Sequence, residues 1–124
     1  MSLRSIANSF RSATAGLVAV FKSEKNFRIQ VFGGILALVA AIYFPLKIWE
    51  MILVLLMVVA VLVMEILNTV FEYFADMLKP RIHHYVHLIK DIMAGAVLIT
   101  SLGAFFIGLI IFLPYLLEWY KIHI

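Results

Sequence analysis

The chain of 124 residues contains no cysteine, which excludes disulfide bonds and thiolate metal sites and leaves the redox compartment undetermined. Charged residues are also scarce: Asp, Glu, Lys and Arg make up 14% of the sequence, against roughly 25% in ordinary soluble domains. The phosphate-binding motifs GxxxxGK[ST] and GxGxxG are both missing, and there is no catalytic loop of the protein-kinase type. These absences count against a soluble kinase, and a nucleotide would have to be held in another way.

Apolar residues are abundant instead, at 65% of the chain with a mean hydropathy of +1.10, which indicates an integral membrane protein. A helix needs around 20 residues to cross hydrocarbon about 30 Å thick. Three stretches satisfy this, and we predict membrane spans over residues 27–45, 49–78 and 86–117. The expected fold is all-α, residues 1–124 form a single domain, and so thin a bundle is expected to oligomerise.

A further helix is predicted over residues 4–24, before the first span. Its apolar residues share one helical face and its polar and basic residues the other: Ile6, Phe10, Leu17 and Phe21 against Arg4, Asn8, Arg11 and Lys22. This pattern is typical of an amphipathic helix lying in the membrane interface. The alternative is a frayed polar tail.

Basic residues also predict the orientation, because Lys and Arg near span ends are retained on the cytoplasmic side. They are concentrated before the first span and between the second and third. We therefore expect a multi-pass protein of the inner, cytoplasmic membrane with its N-terminus in the cytoplasm. No cleavable signal pattern is recognisable, so the first span is expected to remain. Membrane retention also accounts for the net charge of +3, and no nucleic-acid partner is expected.

Four polar residues interrupt the second span at its C-terminal end. Asn68, Glu72 and Asp76 follow Glu65 by three, seven and eleven positions, which places all four within one narrow stripe of a helix. Insertion of a carboxylate at the bilayer centre costs about 2.5–3.5 kcal/mol. Such a residue is therefore rarely present without a polar or charged partner or a functional role. With hydrocarbon entered near Met51, Glu65 lies about 21 Å deep and the stripe rises from there toward the cytoplasm.

Further charged residues are predicted at the same boundary, namely Glu24 before the first span and Lys90 and Asp91 before the third. Carboxylates and substrate phosphates hold Mg²⁺, a lysine neutralises phosphate, and a deeper carboxylate can accept a hydroxyl proton. Together they suggest phosphoryl transfer from a nucleotide to a lipid alcohol. From the residues alone, an ion or proton pathway and a non-enzymatic scaffold stay open as alternatives.

Three segments resemble the prokaryotic diacylglycerol kinase and undecaprenol kinase family: SEKNFRIQ at 23–30, MEILNTVFEYFAD at 64–76 and KDIMAGAVLI at 90–99. The resemblance covers roughly residues 10–117. It implies an interfacial helix followed by three transmembrane helices, a homotrimer with active sites between subunits, and an ATP- and Mg²⁺-dependent lipid kinase.

The resemblance also implies roles for individual residues. Glu65 is expected to be the catalytic base for the lipid hydroxyl, and Glu24 and Glu72 are expected to ligate the Mg²⁺ that accompanies ATP. The remaining nucleotide-site residues are expected to be Asn68, Asp76, His83, Lys90 and Asp91. Arg81 departs from the family pattern, because some members have an acidic residue there.

The lipid is predicted to be undecaprenol, since AGAVL at 94–98 and IGLIIFLP at 107–114 resemble the undecaprenol kinase branch. Diacylglycerol is the alternative, and its phosphorylation would place the enzyme in phospholipid biosynthesis. Both lipids offer a primary hydroxyl, so the chemistry alone does not separate them.

Overall fold

The computed structural model describes residues 2–78 and 83–124, except for the side chain of His83. These residues form α1 (Leu3–Ser23), α2 (Lys25–Tyr43), α3 (Ile48–Leu78) and α4 (His83–His123), without any strand in the part described. Three of the helices are long and apolar enough to cross a membrane, with spans at Lys25–Tyr43, Ile48–Leu78 and His84–His123. The predicted fold class of one preceding helix and three membrane-crossing helices is therefore confirmed. Arg81 lies outside the described residues.

Helix α1 begins at an N-cap, where the Ser2 hydroxyl accepts a hydrogen bond of 3.1 Å from the Ser5 amide. None of its residues is buried, and its apolar face is open, with Phe10 75% exposed. Packing against the rest of the chain therefore stabilises α1 very little. Its apolar face is available to another apolar medium such as the membrane interface.

A single extended residue, Glu24, separates α1 from α2, with φ −113° and ψ 110°. The Arg28 guanidinium reaches back across this break and donates to the carbonyls of Phe21 and Lys22, at 2.7 and 3.0 Å. Those carbonyls belong to the last turn of α1, where a cation also offsets the negative end of the helix dipole. Arg28 thereby fixes the position of Glu24 relative to α2.

Helix α3 lies centrally and packs against both α2 and α4. The buried core cluster contains one residue from each of α2, α3 and α4, namely Ala41, Val54 and Ile111. The contact face of α2 carries Phe27, Gly34 and Ala41, which are spaced seven residues apart and so fall on one side of the helix. Because α2 and α4 flank α3, an apolar groove remains between them.

The bundle is closed at the end opposite Glu72, which we call the distal end, by hydrogen bonds near the start of α3. Glu50 is 8% exposed and accepts from the Lys47 amide at 2.9 Å and from the Tyr115 hydroxyl at 2.5 Å. The Trp119 indole donates to the Tyr43 hydroxyl at 3.0 Å. These bonds connect α4 to the start of α3 and to the end of α2.

Helix α2 approaches α3 closely at Gly34, where a Cβ would lie 2.8 Å from Cγ1 of Val58. Valine is stiff at χ1, so Gly34→Ala forces a backbone shift. We expect it to destabilise the protein by about 1–3 kcal/mol, as overpacking does. A lowered thermal midpoint in detergent is the measurement.

Gly33→Ala is the matched control, since no atom lies within 4 Å of a Cβ built there. It should leave the midpoint unchanged or raise it slightly, because alanine favours helix by about 1 kcal/mol over glycine. Equal shifts in the two variants would contradict the assigned contact.

Candidate functional site

The polar residues of α3 form a gradient of exposure that begins with a buried acid. Glu65 is only 2% exposed, Asn68 and Glu72 are half-buried, and the Asp76 side chain is 57% exposed. The Asn68 amide donates to Glu72 Oε1 at 3.1 Å, and the Thr69 hydroxyl donates to the Glu65 carbonyl at 3.0 Å. The predicted stripe thus exists as one continuous polar surface with Glu65 at its deep end.

Carboxylates from two parts of the chain converge on Glu65. Glu24, at the break between α1 and α2, and Glu72, two turns along α3, lie close enough for their charges to interact with that of Glu65. The side-chain amides of Gln30 and Asn68 are its polar neighbours. Three acids gathered around a buried position repel one another, so such an arrangement suits a site that receives a cation.

Lys90 joins the same end of the bundle from α4. Its ammonium group lies 2.8 Å from Asp76 Oδ1, an ion pair between α3 and α4 with side chains 38% and 57% exposed. An ion pair this exposed contributes little stability, so its lysine can exchange a carboxylate for a phosphate at small cost. Asp91 follows on the exposed surface of α4.

The histidines fall at the start of α4. His83 is the first residue of the helix, but its predicted nucleotide contact concerns a side chain outside the described part of the structure. His87 is exposed one turn later.

The carboxylates present fit a magnesium ion that is shared with a nucleotide. Among residues 2–78 and 83–124, no three acidic or histidine side chains are arranged to enclose a metal ion by themselves. Mg²⁺, however, is usually bound through one or two carboxylates and substrate phosphates, with several waters retained. Glu24 and Glu72, whose charges both act on Glu65, would supply such a pair of hard oxygen donors.

Two polar residues of structural importance were not among the residues singled out from the sequence. Gln30 lies within the segment SEKNFRIQ and was detectable as a lone amide that begins an otherwise apolar stretch of the first span. Glu50 was detectable as an acid at the start of the second span. Glu50 does not belong to the predicted cluster of charged residues, because it is buried at the distal end.

A comparison with models of protein families tests the resemblance noted in the sequence. A model of the prokaryotic diacylglycerol kinase family matches residues 11–112. The chain belongs to this family. The resemblance read from the three sequence segments is thereby confirmed.

Two relatives carry kinase names. The diacylglycerol kinase of Synechocystis sp. is 36% identical over 111 residues, which cover 89% of this chain but only 63% of that protein. The undecaprenol kinase of Bacillus subtilis is 30% identical over 106 residues, or 86% of each chain. Both names agree with the prediction of a phosphotransferase that acts on an alcohol.

Proposed function

We propose that this protein is a membrane lipid kinase that transfers the γ-phosphoryl group of ATP, with Mg²⁺, to the primary hydroxyl of a lipid alcohol, most readily undecaprenol. The observation that carries the proposal is that Glu24 and Glu72 both lie near enough to the buried Glu65 for their charges to act on it. Membership of a family named for a lipid kinase supports it independently.

In the proposed reaction Glu65 is the general base. Its burial at the deep end of the polar stripe suits a hydroxyl that is carried by a lipid and does not leave the membrane. The hydroxyl oxygen attacks the γ-phosphorus, the hydroxyl proton passes to Glu65, and the bond from the γ-phosphorus to the bridging oxygen of ADP breaks. General-base catalysis of this kind contributes typically about 10²–10⁴-fold to the rate.

The remaining residues position and neutralise the phosphates. Glu24 and Glu72 would hold Mg²⁺, which when bound would supply positive charge that offsets the charge of the phosphates. Lys90 releases Asp76 and contacts phosphate, Asn68 orients Glu72, and Asp91 and His83 lie toward the nucleotide. Phosphoryl transfer depends mainly on such positioning and charge neutralisation, so a small helical protein can carry it out.

Undecaprenol is preferred as the acceptor because of the extent of one match. The match to the undecaprenol kinase of Bacillus subtilis extends over most of both proteins, whereas the match to the Synechocystis relative leaves over a third of that protein uncovered. The groove between α2 and α4 is lined almost entirely by apolar groups and suits the hydrocarbon of either lipid. Diacylglycerol is the second candidate, favoured by the 36% identity to the Synechocystis protein.

The proposal includes a homotrimer in the cytoplasmic membrane, with the N-terminus and the Glu72 end facing the cytoplasm, where ATP is available. Three crossing helices form a thin bundle. Since the acids converge within one chain, a neighbouring subunit would complete the site mainly by covering it.

Purified protein should transfer label from [γ-³²P]ATP to undecaprenol in mixed micelles, with diacylglycerol tested in parallel. We expect labelled lipid that depends on Mg²⁺, with the larger kcat/KM for undecaprenol. A larger kcat/KM for diacylglycerol would reverse the choice of lipid and keep the kinase. Absence of label from every lipid alcohol would contradict the proposal and favour a scaffold or an ion pathway.

A further inference from the structure

Among the described residues, a single buried side-chain nitrogen or oxygen atom lacks a hydrogen-bond partner. Oε1 of Gln30 is buried and has no hydrogen-bond partner within the described part of the protein. A buried carbonyl oxygen without a donor costs free energy, so native proteins rarely keep one unless something else supplies the donor. The same side chain is a polar neighbour of the Glu65 carboxylate.

Gln30 also lines the groove between α2 and α4, which has a volume of about 610 Å³. The groove follows α2 from Gln30 to Ala40, a length of about 15 Å at the rise of an α-helix, and continues along α4 to Leu116. Apart from Gln30 and Ser101, the side chains along it are apolar. It therefore leads from Gln30 along the membrane-crossing helices toward the distal end.

We propose that Gln30 is a positioning residue for the acceptor, with its side-chain oxygen accepting a hydrogen bond from the lipid hydroxyl while the groove between α2 and α4 holds the hydrocarbon chain. This inference rests on the proposed lipid kinase function and identifies where its acceptor binds. A lipid alcohol accounts for both the unsatisfied oxygen and the apolar groove, because it has a hydroxyl donor at one end and an apolar chain attached to it.

The position of Gln30 gives it a role before the chemical step. The bound hydroxyl first donates to Gln30 Oε1, and rotation about its C–O bond then directs the same hydrogen toward the neighbouring Glu65 carboxylate. No covalent bond to Gln30 forms. Loss of Gln30 therefore weakens acceptor binding more than it slows transfer at saturation.

Gln30→Met removes both hydrogen-bonding groups and keeps the length of the side chain. We expect the KM for undecaprenol, measured as mole fraction in mixed micelles, to rise about three- to tenfold, as the loss of one hydrogen bond implies. The KM for MgATP should be unchanged and kcat should fall less than twofold. Asn26→Met is the control, since Asn26 is exposed one turn earlier on the same helix.

Gly33→Leu tests the groove separately from the amide. Gly33 lines the groove with no atom within 4 Å of a built Cβ, so a leucine side chain enters open space and not the α2–α3 contact. This variant should also raise the KM for undecaprenol and leave the KM for MgATP unchanged.

Photolabelling tests the groove directly. A primary alcohol with a diazirine in its tail, irradiated without ATP, should label residues 30–40 and 101–116.

The outcomes separate this inference from the function on which it rests. If the wild-type protein phosphorylates undecaprenol but Gln30→Met and Gly33→Leu leave the lipid KM unchanged, the acceptor binds elsewhere and the inference is overturned. It is also overturned if Gly33→Leu dissociates the oligomer and the diazirine labels no groove residue, because a second copy of the chain then fills the groove. If wild-type protein phosphorylates no lipid, the proposed function itself has failed.

Discussion

Glu65→Gln is expected to lower kcat for lipid phosphorylation by about 10²–10⁴-fold, the contribution typical of a general base. Glutamine keeps the size and hydrogen-bonding reach of glutamate but accepts no proton at neutral pH. Removing a buried carboxylate from the membrane also removes an insertion cost of about 2.5–3.5 kcal/mol. The variant should therefore be at least as stable as wild type, and initial rates with saturating lipid and MgATP provide the measurement.

Glu50→Gln is the matched control for this experiment. It removes the other buried glutamate of α3, which binds Lys47 and Tyr115 at the distal end. We expect it to lower the thermal midpoint in detergent because a charge-assisted hydrogen bond is weakened, while kcat below the transition stays near that of wild type. Equal losses of kcat in both variants would indicate that any buried acid of α3 supports the fold, and Glu65 would lose its assignment as the base.

Glu72→Gln and Glu24→Gln are each expected to raise the Mg²⁺ concentration for half-maximal activity by at least about tenfold, equivalent to about 1.4 kcal/mol of binding. Each variant replaces a charged oxygen donor by a neutral one, and Mg²⁺ strongly prefers carboxylates. Rates measured across a titration of free Mg²⁺, with lipid and ATP held constant, give the shift. The double variant should show less than the product of the two single effects if both groups hold one ion.

Glu118→Gln serves as the control for charge alone. Glu118 is an exposed acid near the end of α4, at the distal end of the bundle, so its removal changes the net charge without touching the proposed site. Its Mg²⁺ dependence should match that of wild type. If all three variants shift alike, the effect is a general surface potential and no bound ion at Glu24 and Glu72 is needed.

The helices were predictable because their signals are local. Long apolar runs select helix in a membrane, where every backbone polar group must bond within its own segment. The predicted starts and ends lie within a few residues of those observed for α1, α2 and α3. Helix α4 begins three residues before the predicted span and continues beyond it to His123, with Pro114 inside the helix. A proline in a membrane helix can be tolerated when neighbouring groups satisfy the freed carbonyl.

The site was predictable in part for a similar reason. Helical periodicity alone places Glu65, Asn68 and Glu72 on one face, since they share a single rigid element. The ion pair of Lys90 with Asp76 was not read from the sequence, because it joins two helices whose relative rotation depends on packing. The same holds for Arg28, whose bonds to Phe21 and Lys22 depend on the angle between α1 and α2.

The sequence by itself determined that this is a membrane protein of three crossing helices with an acidic stripe on the second, because composition and helical period act within one segment at a time. The tertiary structure decided which polar groups have partners: Glu50 is bonded to Tyr115, whereas the buried oxygen of Gln30 has no donor within the described chain. Partnership depends on distances between helices, and these are set by side-chain packing across α2, α3 and α4, which no single segment encodes.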